Sequence, residues 1–409
     1  MKTVLALLFA AGSLYCAGLP DANRATDINR WIQEGNDDFY NLDYDQSIAL
    51  YEKAVAASPD DPVYRDYLAQ AVLYRELFRD GALESELVSG NNSFLRRPKL
   101  EPPAAVEKRF FAEIDRSMQL CQARIAKNPR DTVALHALSV AFALRANYGF
   151  LVRKSWRASL SDSSQARKFD NEVTEIDPGD YDAMLLQGGY DYIVGSLSWT
   201  LRALGFIAGF HGDKQRGIRT IEEVAAKGNE NRVDAEIVLC ALYRREGEAT
   251  RAIPLVSRLI VRYPRNYLLR FELAQMYAAT GNRTSALNTL SGIATLKREN
   301  APGFGRIPWE KIYYETGNLE FWFDDLDRAL ANLRKVTGTP AQLKELDLNT
   351  GVLALMREGQ IYDLENHHKL AVESYREAVR FAPEADAAHE SQHYIHSPYT
   401  RAAHSQERG

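Results

Sequence analysis

A 409-residue chain that is 45% hydrophobic and 26% charged has enough apolar side chains to bury a sizeable core, and at roughly 150 residues per domain it would hold two or three. Its formal net charge of −5 is too small to single out nucleic acid or an acidic membrane surface as a partner. Basic residues never run longer than two and are mixed with acidic ones, which argues against a nucleic-acid-binding face.

The chain opens on MKTVLALLFAAGSLYCAGLP, the pattern of a secretory signal: Lys2 as the positive start, an apolar core from Val4 to Ala11, then small residues. Cleavage after Gly18 puts Cys16 and Gly18 at the two small-residue positions, so 1–18 is read as the signal and Leu19 as the mature start. Export is then expected, with the periplasm as the destination. The rival is a lipoprotein anchored at Cys16, but Tyr15 stands where a small residue is needed. Once Cys16 is removed, Cys121 and Cys240 remain, both at apolar positions of helical patterns, and both are expected to be buried and unpaired.

From Asn29 onward helical patterns recur in pairs. Four times a proline is followed two residues later by Asp or Asn, in SPDD, NPRD, DPGD and YPRN. Proline stops one helix, and Asp61, Asp131, Asp180 or Asn266 can cap the next. Small and large residues also keep one register, as in Trp31, Gly35, Ser47, Tyr51, Ala54 and Pro59. It returns in Cys240, Tyr243, Ala252, Val256, Leu259 and Pro264, then in Ala274, Tyr277, Gly281 and Ala286. Gly317 with Ala329 continue it, and Gly359, Tyr362, Ala371, Tyr375, Ala378 and Pro383 close the series.

This register resembles the tetratricopeptide repeat (TPR), a helix–turn–helix unit of about 34 residues whose small positions let two helices approach closely. The resemblance implies an all-α fold, a right-handed α-solenoid of about eight helix–turn–helix pairs over 19–385, with a concave face lined by the first helix of each repeat. Middle units depart from the pattern; Arg124 stands where alanine is expected. Segments 80–104 and ATLKRENAPGFGRIP are read as surface excursions. The polar, His-rich tail 386–409 is read as solvated.

One unit is too long. Gly188 fits the eighth position and DKQRGIRTIEEVAAKG the second helix, with Asp213 as cap and Gly228 as stop, but the interval to the next unit exceeds one repeat by roughly half a repeat. The excess is the apolar stretch 195–211. Asp191 and Arg202 interrupt it and glycines dilute it, so it does not read as a membrane span. It is read as a short buried helix, with three readings open: a plug of the groove, a contact between subunits, or the wall of a ligand pocket. In the last, Tyr190, Tyr192, Trp199 and Phe206 would be walls and Arg202 the partner of an anionic group.

No catalytic constellation, phosphate loop or metalloprotease motif appears, so neither enzymatic activity nor a cofactor is expected. His389, His393 and His396 fall at helical spacing and are a weak metal candidate. The best-known peptide-binding members of the family clamp a chain-terminal carboxylate with Lys and Asn. Here Asn36 is kept, but Ile32 and Tyr67 replace the other expected residues, so that clamp is absent. The expectation is a non-enzymatic exported scaffold mediating protein–protein interactions in the cell envelope, its partners other envelope or secreted proteins. The alternative is a binder of an apolar or anionic small ligand, of the transporter-accessory type.

Overall fold

The proline-marked boundaries separate helices in the computed structural model, which describes residues 22–83, 100–197, 212–338 and 348–401. Asp61 accepts a hydrogen bond from the Val63 N–H and Asp131 from that of Ala134, capping the helices after SPDD and NPRD. Asp180 accepts from Ala183 N–H ahead of a single 3-10 turn, Asp182–Met184. Asp213 and Gly228 bound their helix as read.

Seventeen α-helices and no strand occur among the described residues. They are α1 (Ala22–Tyr40), α2 (Tyr44–Ala57), α3 (Pro62–Arg79), α4 (Ala104–Lys127), α5 (Thr132–Leu151), α6 (Trp156–Ile176), α7 (Leu185–Gly195), α8 (Lys214–Lys227), α9 (Arg232–Arg245) and α10 (Ala249–Arg262). Then follow α11 (Tyr267–Ala279), α12 (Arg283–Arg298), α13 (Trp309–Trp322), α14 (Leu326–Thr337), α15 (Leu348–Leu364), α16 (His368–Phe381) and α17 (Asp386–Tyr394). Successive helices pair as the repeat register predicts, giving eight pairs and a final helix. Where the sequence reads as one stack, the helices cluster into two compact units that divide between Asn266 and Tyr267.

Small residues set the helix spacing. A Cβ on Gly35 would lie 2.6 Å from the Tyr51 ring, and one on Gly359 would lie 2.4 Å from the Tyr375 ring, so in both pairs an aromatic of the second helix fills the space the glycine leaves. In the overlong unit the approach is backbone to backbone. A Cβ on Gly217 would fall 2.5 Å from both the Gly188 carbonyl oxygen and the Tyr192 nitrogen. At the far end of this pair Gly195 abuts Lys214, and Asp191 is held by Arg216 through two bonds of 2.7 and 2.9 Å. Thus α7 and α8 form one repeat, and the chain between them leaves and returns at one point. Residues 198–211, with Trp199, Arg202 and Phe206, lie outside the described residues, as do the signal 1–18 and most of the 80–104 segment.

The first unit closes on itself. The Tyr40 hydroxyl at the end of α1 donates to Asp234 on α9 at 2.9 Å, and its ring lies 5.0 Å from that of Tyr263. Arg265 bonds Asp38 and Asp43 at 2.9 and 2.7 Å, its N–H donates to Asn41, and the Asn266 amide donates to the Tyr40 carbonyl. The first repeat of this unit therefore touches the last, and α3 and α5, the first helices of the next two repeats, line one cavity.

In the second unit the core gathers Phe321, Leu333, Val336, Val352, Tyr375 and Ala378. Two expectations need correction. The tail is not solvated from 386: α17 packs on α15 and α16 with Ala387, Ala388, Ser391 and Tyr394 buried, and Tyr399 beyond it is buried too. Buried Asp363 anchors this end, pairing with His368 and accepting from the Tyr375 hydroxyl and the Tyr399 N–H. Nor is the α12–α13 connection a surface excursion. Its beginning is the end of α12, and Phe304 and Ile307 are buried. Cys121 and Cys240 are both buried, as read, and no disulfide joins them.

The close approaches rank two substitutions. Gly217→Ala meets backbone that cannot turn aside and is expected to cost about 3 kcal/mol or more, whereas Gly35→Ala meets a tyrosine ring and costs about 1–3 kcal/mol. Urea denaturation of the two variants checks the order.

Candidate binding cavity in the first unit

The inward-facing helices of the first unit surround a cavity of about 340 Å³. Its walls are built from equivalent positions of successive repeats. The second, fifth and sixth residues of α3 (Val63, Asp66, Tyr67) and of α5 (Val133, His136, Ala137) line it. The facing wall is the turn Gly179–Asp182 together with Lys227–Glu230, between α8 and α9. Asp182 fixes that wall: its carboxylate accepts from the N–H groups of Asn229, Glu230 and Asn231, and its carbonyl takes the Asn231 side chain.

The electrostatics of the lining are uneven. His136 bonds Asp170 at 2.8 Å. Burial opposes the imidazolium, but the Asp170 carboxylate outweighs it and lifts the His136 pKa to about 9. Burial raises Asp170 as well, against the pull of His136. Lys227 stays at the rim, its ammonium 3.2 Å from the Tyr181 hydroxyl. Burial, helped by the neighbouring Asp182 charge, pushes Glu230 up to about 7, with Tyr67 offsetting part of the shift.

Asp66 is the outlier. It is 3% exposed and neither carboxyl oxygen makes a hydrogen bond. Burial pushes its pKa well above the ordinary carboxylate range; Ser117 and His136 offset part of this, though neither donates a bond of ordinary geometry. The Tyr67 hydroxyl beside it is also without a partner. Such groups are costly inside a protein unless something meets them.

Residues 353–384 match the family model for the tetratricopeptide repeat, and they hold the α15–α16 contact in which Gly359 receives the Tyr375 ring. The chain carries a tetratricopeptide repeat. Among solved structures the chain is similar to a tetratricopeptide repeat protein from Parabacteroides merdae, with 12% identity, 85% of this chain and 99% of the other covered, and a TM-score of 0.31. It is also similar to yeast Tom70, with 12% identity over 94% and 97% of the two chains and a TM-score of 0.38. The human IFIT1 dimer gives 12% identity over 92% and 86% and a TM-score of 0.43. None of the curated proteins matches.

Of the candidate residues read from the sequence, Tyr190 and Tyr192 lie among the described residues. The Tyr190 ring takes the Arg167 guanidinium at 4.3 Å, whereas the buried Tyr192 donates its hydroxyl to Glu246 at 2.8 Å. Both are thus held by neighbouring repeats, through Arg167 on α6 and Glu246 after α9, and the other three members lie outside the described residues. His389, His393 and His396 are exposed on and just beyond α17, and no group of three metal-ligating side chains occurs among the described residues. In the position of the family's carboxylate clamp, Asn36 accepts from the Tyr51 hydroxyl and Ile32 is buried. This repeat protein instead places Asp66 in its groove, a residue that sequence reasoning missed by treating carboxylates on repeat helices as solvated. The available signal was the repeat register, in which Asp66 falls at an inward position.

Two predictions follow from these charges. A carboxyl whose folded pKa lies above its unfolded one costs stability as pH rises past the unfolded value. Asp66→Asn should therefore raise stability by about 1 kcal/mol or more at pH 8, with the gain vanishing near pH 4. The His136–Asp170 pair has the opposite sense for the imidazole: its stabilisation is complete below 6.5 and is lost as pH rises through about 9. Melting curves of the His136→Gln, Asp170→Asn double variant should lack the decline that the parent shows in that window.

Proposed function

We propose that the protein is an exported, non-catalytic scaffold that docks partner polypeptides in the cell envelope, using the inward face of its first unit. Tetratricopeptide proteins as a family bind other proteins, and the observation that carries the reading here is the cavity at equivalent positions of successive first helices. Those positions are where repeat proteins of this kind present side chains to a ligand. The signal-like first residues support export, and no helix among the described residues is long and apolar enough to cross a membrane. Small-ligand binding beside residues 196–210 draws less support, because Tyr190 and Tyr192 are held by partners in the neighbouring repeats.

A photo-crosslinking amino acid at position 227, on the cavity rim, tests this against one at position 261, where Val261 is exposed on α10. The chain is expressed with its own first 18 residues and fractionated. The expected result is a discrete polypeptide adduct from position 227 in the exported fraction and none from 261. Retention of the chain in the cytosol refutes export, and a small bound mass in native mass spectrometry with no polypeptide adduct refutes the scaffold.

A further inference from the structure

The cavity lining carries two carboxyls that the fold leaves without a counter-charge. Asp66 is more than nine-tenths buried and both its oxygens lack a partner. Glu230, on the facing loop, forms no ion pair with any Lys or Arg among the described residues. The positive groups nearby are already engaged, His136 by Asp170 and Lys227 by the Tyr181 hydroxyl and ring. Apolar surface lies between: Val63, Val133, Ala137 and Val140.

We propose that this cavity is a socket for a lysine or arginine side chain, with Asp66 as the buried counter-charge and Glu230 as the second acceptor. The volume of about 340 Å³ is at the small end of ligand sites and suits one long side chain rather than a helix. The valines and alanine match a methylene stem, leaving its charged head to meet the carboxyls. The Tyr67 hydroxyl on the same wall adds a further oxygen that can accept from an ammonium or guanidinium. A metal ion fits less well, since the described residues offer no group of three metal-ligating side chains. The arrangement inverts the family's carboxylate clamp: an acid occupies the inward fifth position of α3, so the group recognised is a cation. That the cation belongs to a polypeptide rests on the scaffold reading above.

The test selects a random peptide library on the full chain and measures enriched peptides by calorimetry, with Nα-acetyl-lysine amide as the free side-chain probe. Enriched peptides should share a Lys or Arg, and changing that residue to Gln should weaken binding by roughly tenfold or more. Asp66→Asn should lose the preference while melting at least as high as the parent, and Glu230→Gln, at a less buried site, should lose it in part. Peptides enriched without Lys or Arg, or bound equally by Asp66→Asn, overturn the socket and leave the scaffold standing. Binding of Nα-acetyl-lysine amide with no peptide enriched does the reverse. Binding of neither overturns both.

Discussion

The first unit depends on a contact between residues nearly two hundred positions apart, the hydroxyl of Tyr40 on the carboxylate of Asp234. A stack of repeats has interfaces only between neighbours, and nothing in that arrangement makes its ends meet. Here the end of α1 is pinned to α9 by this bond and by Arg265 on Asp38 and Asp43. Ion pairs as exposed as those of Arg265 contribute little each. The buried Tyr40–Asp234 bond and the Tyr40–Tyr263 ring contact supply the rigid part of the closure. Because the ends meet, the cavity-lining faces of α3 and α5 confront the Gly179–Asp182 and Lys227–Glu230 segments, and a cavity open on one side results.

Closure also sets the chemistry of the interior. Asp66, Glu230 and Asp234 all have raised pKa values, chiefly through burial. Each buried acid weakens the fold unless a proton, a hydrogen bond or a cation compensates it. Tyr40 does this for one oxygen of Asp234, and His136 does it for Asp170. For Asp66 the protein supplies only a partial offset, from Ser117 and His136, and no hydrogen bond of ordinary geometry. A site that binds through charge has to carry this strain while empty, since a carboxylate satisfied internally has little left to offer a ligand.

The repeat architecture was legible because it rests on local chemistry. Proline stops, aspartate caps and glycines that admit Tyr51 and Tyr375 are written at fixed spacing, so the helix pairs could be read directly, though not the limits of the middle ones, where the pattern lapses. Closure of the first unit was not legible, since no spacing rule links Tyr40 to Asp234. The packing of α17 was missed for a related reason. Its exposed histidines dominate the segment's composition, while its attachment lies in Ala387, Ala388, Ser391, Tyr394 and the Tyr399 N–H bonded to Asp363. Of the candidate ligand residues, Tyr190 and Tyr192 were read as pocket walls; both are buried and contact neighbouring repeats, and aromatic bulk alone does not separate a pocket wall from helix packing. Asp66 was overlooked because its sequence neighbours do not reveal whether a carboxylate meets water or the interior.

Asp363 shows what a purely structural acid looks like in the same fold. It also lies on the first helix of a repeat and is also buried, yet a histidine, a tyrosine hydroxyl and a backbone N–H converge on it. Those three partners tie α16 and the segment after α17 to α15, so the carboxylate does its work inside the chain. Asp66 has equal burial and the opposite inventory, with no bonded partner on either oxygen and a cavity beside it. Burial alone therefore does not distinguish the two roles; the count of donors around the carboxylate does. By that measure the incomplete site in the first unit is Asp66, and the missing member is a donor or cation supplied from outside the fold.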